Sequence, residues 1–111
     1  MGKVDEYRDY VKRILTEFSN YKSLNEEVEV QKIFDTENDH YQLVHVGWRN
    51  KRRIYGCVLH VYIKDNKIWI QHDGTEIGIA GELAKLGVPK SDIVLGFHAP
   101  YKRKFTDFAV G

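Results

Sequence analysis

With 111 residues, 42% hydrophobic, 30% charged and a formal net charge of +1, the sequence is sized for a single folded domain spanning 1–111. Its two Trp, seven Tyr and five Phe exclude a disordered chain, and charges interrupt every apolar run short of the roughly 18 residues a membrane span needs. Met1 to Glu6 has no apolar signal core and Cys57 stands alone, which implies a cytoplasmic protein without an internal disulfide.

The charge is uneven. Residues 1–48 carry six Lys/Arg and ten Asp/Glu, and residues 49–111 carry eleven and six, so the halves stand at −4 and +5. Such asymmetry fits a basic face for nucleic acid or an acidic partner, and equally a chance distribution of solvated loops.

Val4 to Tyr21 reads as an amphipathic helix, with Val4, Tyr7, Val11, Ile14, Phe18 and Tyr21 in alternating three- and four-residue steps. Asp5, Glu6 and Asp9 occupy its positive end. Asn20 to Glu27 is the linker out. From Val28 the period shortens and β-formers dominate. Val28–Asp35 is a first strand, Thr36-Glu37-Asn38 a turn, Tyr41–Trp48 a second strand, Arg49-Asn50-Lys51-Arg52 a basic loop and Arg53–Lys64 a long third strand. Asp65-Asn66 is a two-residue turn of the type that needs positive φ at both positions, and Lys67–His72 is the fourth strand.

That turn sets a register in which Tyr62 faces Trp69, Val61 faces Ile70 and His60 faces Gln71, leaving His60 and His72 on opposite faces. Cys57, Leu59, Val61, Ile63, Ile68 and Ile70 then form a core face. The opposite face is a mixed aromatic-polar surface of Val58, His60, Tyr62, Trp69 and Gln71. Thr75 is a candidate N-cap for a helix over 76–86, closed by Gly87 and Pro89. Gly78 and Gly81 inside that helix suggest a close approach to the sheet. Ile93–Phe97 is a short edge strand, and the tail carries Lys102-Arg103-Lys104. The expected fold is α+β: an antiparallel four-stranded meander, an N-terminal amphipathic helix, a second helix after the sheet and a short extra strand near the C-terminus.

The chemistry-bearing residues point to recognition. The histidines (His40, His45, His60, His72, His98) lack metal-ligand spacing, so no metal site is expected. Ser19, Ser23 and Ser91 have no base-orienting companions, and Cys57 alternates into the core face. Asp73 with Glu76 reads as a capping pair at a helix start. No catalytic set and no cofactor site follow from these residues. What remains is basic and aromatic. Arg49, Lys51, Arg52 and Arg53 cluster between Trp48 and Tyr55, and Lys102, Arg103 and Lys104 form a second cluster, a pattern suited to phosphate contact and base stacking. A half-apolar face around Tyr62, Trp69, His60 and Gln71 is more often a protein–protein contact.

Several blocks carry a family resemblance: Phe34-Asp35-Thr36-Glu37-Asn38-Asp39-His40-Tyr41-Gln42-Leu43, Val46-Gly47-Trp48, Arg53-Ile54-Tyr55-Gly56-Cys57, Lys67-Ile68-Trp69-Ile70-Gln71, Gly87-Val88-Pro89-Lys90-Ser91-Asp92-Ile93-Val94-Leu95-Gly96-Phe97-His98 and Phe105-Thr106-Asp107-Phe108-Ala109-Val110. Over nearly the whole chain the sequence resembles the XisI family, the fdxN element excision controlling factors of cyanobacteria. The resemblance implies a non-catalytic accessory role, with the partner XisH, in excising a DNA element during heterocyst differentiation, while a separate site-specific recombinase cuts and rejoins the DNA. It supplies no catalytic residues. Two readings follow from it: contact with XisH or with a second copy through the face around Tyr62 and Trp69, including restraint of a nuclease-fold XisH in the manner of an antitoxin, or direct contact with DNA through the two basic clusters.

Overall fold

The computed structural model describes residues 2–20, 27–75 and 78–111. The elements run α1 (Lys3–Ser19), β1 (Val28–Asp35), β2 (His40–Arg49), β3 (Arg52–Lys64), β4 (Lys67–Asp73), α2 (Ile79–Lys85), β5 (Ile93–Leu95) and α3 (Pro100–Arg103). A single 3-10 turn, Lys90–Asp92, precedes β5.

The helix and strand periods described above place these elements. In α1, Tyr7, Val11, Ile14 and Leu15 are buried against the sheet, and the Gly2 amide donates to Asp5 Oδ2 at the helix start. The helix ends at Ser19, whose hydroxyl donates back to the Thr16 carbonyl; Tyr21 and most of the expected linker lie outside the described residues. Asp65 and Asn66 adopt φ of 54° and 63°, the paired positive values a tight hairpin turn requires.

The sheet has five strands in the order β1-β2-β3-β4-β5. The first four are the antiparallel meander the sequence predicts, but the sheet is mixed, because β5 pairs with β4 in parallel: Ile68 with Ile93, Trp69 with Val94, Ile70 with Leu95. The reason is the connection. Two parallel neighbours need a crossover, and α2 supplies it between β4 and β5.

The second helix is shorter than the 76–86 span expected. Glu76 and Ile77 lie outside the described residues. The helix begins at Ile79 after Gly78, which takes φ of 84°. Asp73 does the capping: Oδ2 accepts the Ile79 amide at 2.8 Å and Oδ1 the Thr75 amide at 2.9 Å. Thr75 contributes one bond, its hydroxyl oxygen accepting the Gly78 amide at 3.2 Å. At the other end Val88 N–H bonds Leu83 O and Gly87 N–H bonds Ala84 O, the paired closure that a glycine at φ 106° permits. A side chain at Gly78 or Gly81 would meet nothing within 4 Å, so neither marks a close approach to the sheet.

Helices α1 and α2 cover one sheet face. There Tyr41, Leu43, Leu59, Val61, Ile68 and Ile70 pack with α1, with Ile79 and Leu83 of α2 and with Ile93. An ion-pair network ties α1 to the β1–β2 turn: Arg8 donates to both Asp39 oxygens (2.7 and 3.0 Å), and Tyr41 Oη donates to Asp39 Oδ1 at 3.1 Å. Tyr7 Oη donates to Asp92, fastening α1 to the turn before β5.

Candidate functional site

The opposite sheet face carries the residues the sequence singles out, and two β-bulges decide which of them meet. On β3–β4 the predicted register holds from Lys64↔Lys67 to Val61↔Ile70, then slips, so that His60 pairs with His72 and Gln71 is the extra residue. The expectation that His60 faces Gln71, with His72 on the other side of the sheet, is therefore overturned. One inserted residue reverses the alternation of everything beyond it. Gln71 instead lies beside β5, where a Cβ on Gly96 would stand only 2.8 Å from its Nε2. The second bulge falls between Leu43 and Val44, opposite Val58, and it has the same effect on Cys57. That thiol pairs with Val44 and is exposed instead of joining the core face. It donates to the Leu59 carbonyl at 3.2 Å, and burial of its sulfur pushes its pKa up, which leaves it a poor nucleophile.

Around Tyr62 the face is an aromatic and imidazole cluster. Tyr62 stacks on Trp69 with ring centroids 5.8 Å apart and planes 13° from parallel. His40, directly opposite Tyr62 on β2, packs on it at 5.2 Å, and His40 Nδ1 lies 3.2 Å from His60 Nε2. One of these nitrogens must donate and the other accept, so the bond exists only while at least one ring is neutral. Burial, then the neighbouring charges of His40 and His72, lowers the His60 pKa, which favours the neutral His60 ring. On the far side of His40, Asp35 is its direct cross-strand partner, with its carboxyl pulled down by hydrogen bonds from the Asn38 side chain and backbone. Among the described residues no group of three or more His, Cys, Asp and Glu side chains is arranged to hold a metal ion.

Trp69 is half-buried, because the tail folds over it. Ala109 bridges to Val94, and the Arg103 guanidinium sits 5.4 Å from the Trp69 ring centroid while its Nε donates to the His98 carbonyl. Of the second basic cluster, then, Arg103 is committed internally, and Lys102 and Lys104 are exposed beside Tyr101 and Phe105.

The first basic cluster is elsewhere. Arg49 pairs with Arg52 and Trp48 with Arg53 across a two-residue turn, Asn50-Lys51, tighter than the four-residue loop expected. Residues 48–53 are all exposed. Nine residues of β3 separate Arg53 from Tyr62, about 30 Å at 3.3 Å per residue, so the hairpin tip and the aromatic cluster occupy opposite ends of the sheet.

Comparison with known proteins gives the whole-chain relationship. The family described as XisI protein matches residues 1–110. The chain belongs to the XisI family. A crystal structure of a XisI-like protein from Anabaena variabilis ATCC 29413 superposes with a TM-score of 0.91 at 48% identity, covering 99% of this chain and 100% of that one. A second, of the fdxN element excision controlling factor XisI from the same organism, gives 0.86 at 35% identity, with the same coverage. No curated protein matches the chain.

Within this XisI-family fold, sequence reasoning brought together Tyr62, Trp69 and His60 and missed His40, His72 and Arg103. His40 was legible in principle. Starting β2 one residue earlier, at the close of the polar turn, places it opposite Tyr62. His72 depends on a bulge and Arg103 on how the tail returns, and no local pattern announces either.

Proposed function

We propose that the protein is a non-catalytic accessory factor in the controlled excision of a DNA element of the fdxN type, acting by contact with an XisH-like partner. The observation that carries this reading is the end-to-end match, at 35% identity, to a solved protein described as the fdxN element excision controlling factor. The geometry supports contact as its mode of action: α1 and α2 cover one face of the sheet, and the other presents Tyr62, Trp69, His40 and His60 in one cluster of packed rings. Aromatic rings held rigidly beside polar groups are the usual anchors of protein interfaces.

The test is co-expression with XisH followed by size-exclusion chromatography, with and without DNA. The wild type is expected to co-elute with XisH in both conditions. A Tyr62→Ala/His60→Ala variant that keeps its thermal transition should elute alone. If that variant still co-elutes at wild-type stoichiometry, the face around Tyr62 is not the docking surface. Separate elution of the wild type would reject XisH as the partner.

A further inference from the structure

We propose that the β2–β3 hairpin tip is a β-ribbon arm that enters a groove of duplex DNA and neutralises its phosphates, at the end of the sheet away from the proposed docking face and independently of it. Three observations carry this. From His40 to Lys64 the sequence contains no Asp or Glu, while Arg49, Lys51, Arg52 and Arg53 crowd the turn. None of these four forms an ion pair among the described residues. Arg49 and Arg52 are direct cross-strand partners, an arrangement that is destabilising by itself, because like charges face each other across the ladder. A polyanion laid against the tip turns that repulsion into attraction.

The shape agrees with the charge. β1 pairs with β2 only as far as Gly47, and β4 pairs with β3 only from Leu59 onward. Beyond Gly47 the hairpin is two strands wide for its last two pairs, Trp48 with Arg53 and Arg49 with Arg52, so the bare ribbon projects about 7 Å past β1, while on its β4 side the tip stands about 20 Å past the last β4 pair. A two-stranded ribbon fits the roughly 12 Å width of the B-DNA major groove. Trp48 supports the arrangement from within: the Arg53 guanidinium lies 5.4 Å from its ring centroid, which holds that cation at the ribbon flank. Tyr55, 72% exposed, continues the same side of the strand two residues further in.

The test is fluorescence anisotropy of the full chain with a short labelled duplex, titrated from low to physiological salt. Four phosphate contacts predict a log–log slope of about −3.6, so a fourfold rise in salt should weaken binding roughly 150-fold. Each single Arg/Lys→Ser change at 49, 51, 52 or 53 should reduce the slope by about 0.9, and the fourfold variant should bring it near zero. Lys102→Ser/Lys104→Ser should keep the wild-type slope. The tip lies outside the core, so the fourfold variant is expected to keep the wild-type circular dichroism and its co-elution with XisH, which separates failure here from failure of the docking reading. Absence of binding at low salt would overturn the proposal. So would an unchanged slope in the fourfold variant, or tighter binding to single-stranded DNA or poly-glutamate than to the duplex.

Discussion

Gly47 and Gly56 stand in the same hairpin and should respond in opposite ways to the same substitution. Gly47 is where β1 stops accompanying β2, paired with Val28. A Cβ placed there would lie 2.0 Å from the Glu27 carbonyl oxygen and 2.7 Å from Val28 Cα. Ordinary contacts begin near 3.4 Å, so the two backbones would have to part by more than an ångström. Neither obstacle is a flexible side chain that can swing away. The separation would also lengthen the Trp48 N–H to Glu27 O bond, now 3.2 Å. One lost backbone hydrogen bond at about 1 kcal/mol, added to overpacking at about 1–3 kcal/mol, gives a destabilisation of about 2–4 kcal/mol for Gly47→Ala. For a chain of this size that is a fall in melting temperature of roughly 10–20 °C. Gly56→Ala, on the facing strand, meets nothing within 4 Å and should stay within about 0.5 kcal/mol of wild type. Thermal and urea unfolding of both variants, followed by circular dichroism, provides the measurement. A Gly47→Ala protein as stable as Gly56→Ala would refute the close-approach argument.

Further outcomes follow from the ion pairs and rings. Asp39→Asn should cost about 1–2 kcal/mol, because it weakens two charge-assisted bonds from Arg8, a side chain about one-third exposed. The Arg8 hydrogen bonds hold the Asp39 carboxyl below its ordinary value of 3.8. The stability it contributes is therefore present above that value and lost as pH falls through the lower folded one, so acid titration of the variant should show a shallower decline. His60 works in the same direction in a higher pH range: a depressed imidazole pKa means the folded state binds its proton less readily, so stability should fall as pH drops below about 6.5. His60→Gln should flatten that slope in a pH series of urea midpoints. Trp69→Ala, which removes a ring in contact with Tyr62 and Arg103, should cost about 3 kcal/mol, whereas Tyr55→Ala should change the unfolding free energy by no more than about 0.5 kcal/mol, both read from urea unfolding.

The parts of this fold that were legible from sequence are those governed by local period and turn chemistry. The stripe of α1, the strand limits of β1 and the Asp65-Asn66 turn all rest on interactions between near neighbours, and the register next to that turn was correct for four pairs. Errors began where one extra residue entered a strand. Neither Val58 nor Gln71 differs in type from a regular strand residue, so the slips that turned Cys57 outward and brought His72 to His60 had no compositional signal. The parallel β5 was visible as a strand but not as a parallel one, since its partner is set by the crossover of α2. For the candidate site the same division holds. Tyr62 and Trp69 were placed together by turn geometry, whereas the cover that Arg103 gives Trp69 depends on the tail returning to bridge Val94 through Ala109.

Among the described residues, the half of β3 that precedes Val58 has no strand beside it on the β4 side, so alternate amides and carbonyls between Arg52 and Cys57 are turned outward. Such a row is a template on which other copies of the chain can zip into extended assemblies. Arg52 and Arg53 act there as gatekeepers, repelling the equivalent residues of any approaching copy. Their guard is ionic, so it weakens as counterions accumulate. Concentrated stocks of the protein should scatter more light in high salt than in low, and stripping those two charges should remove the difference.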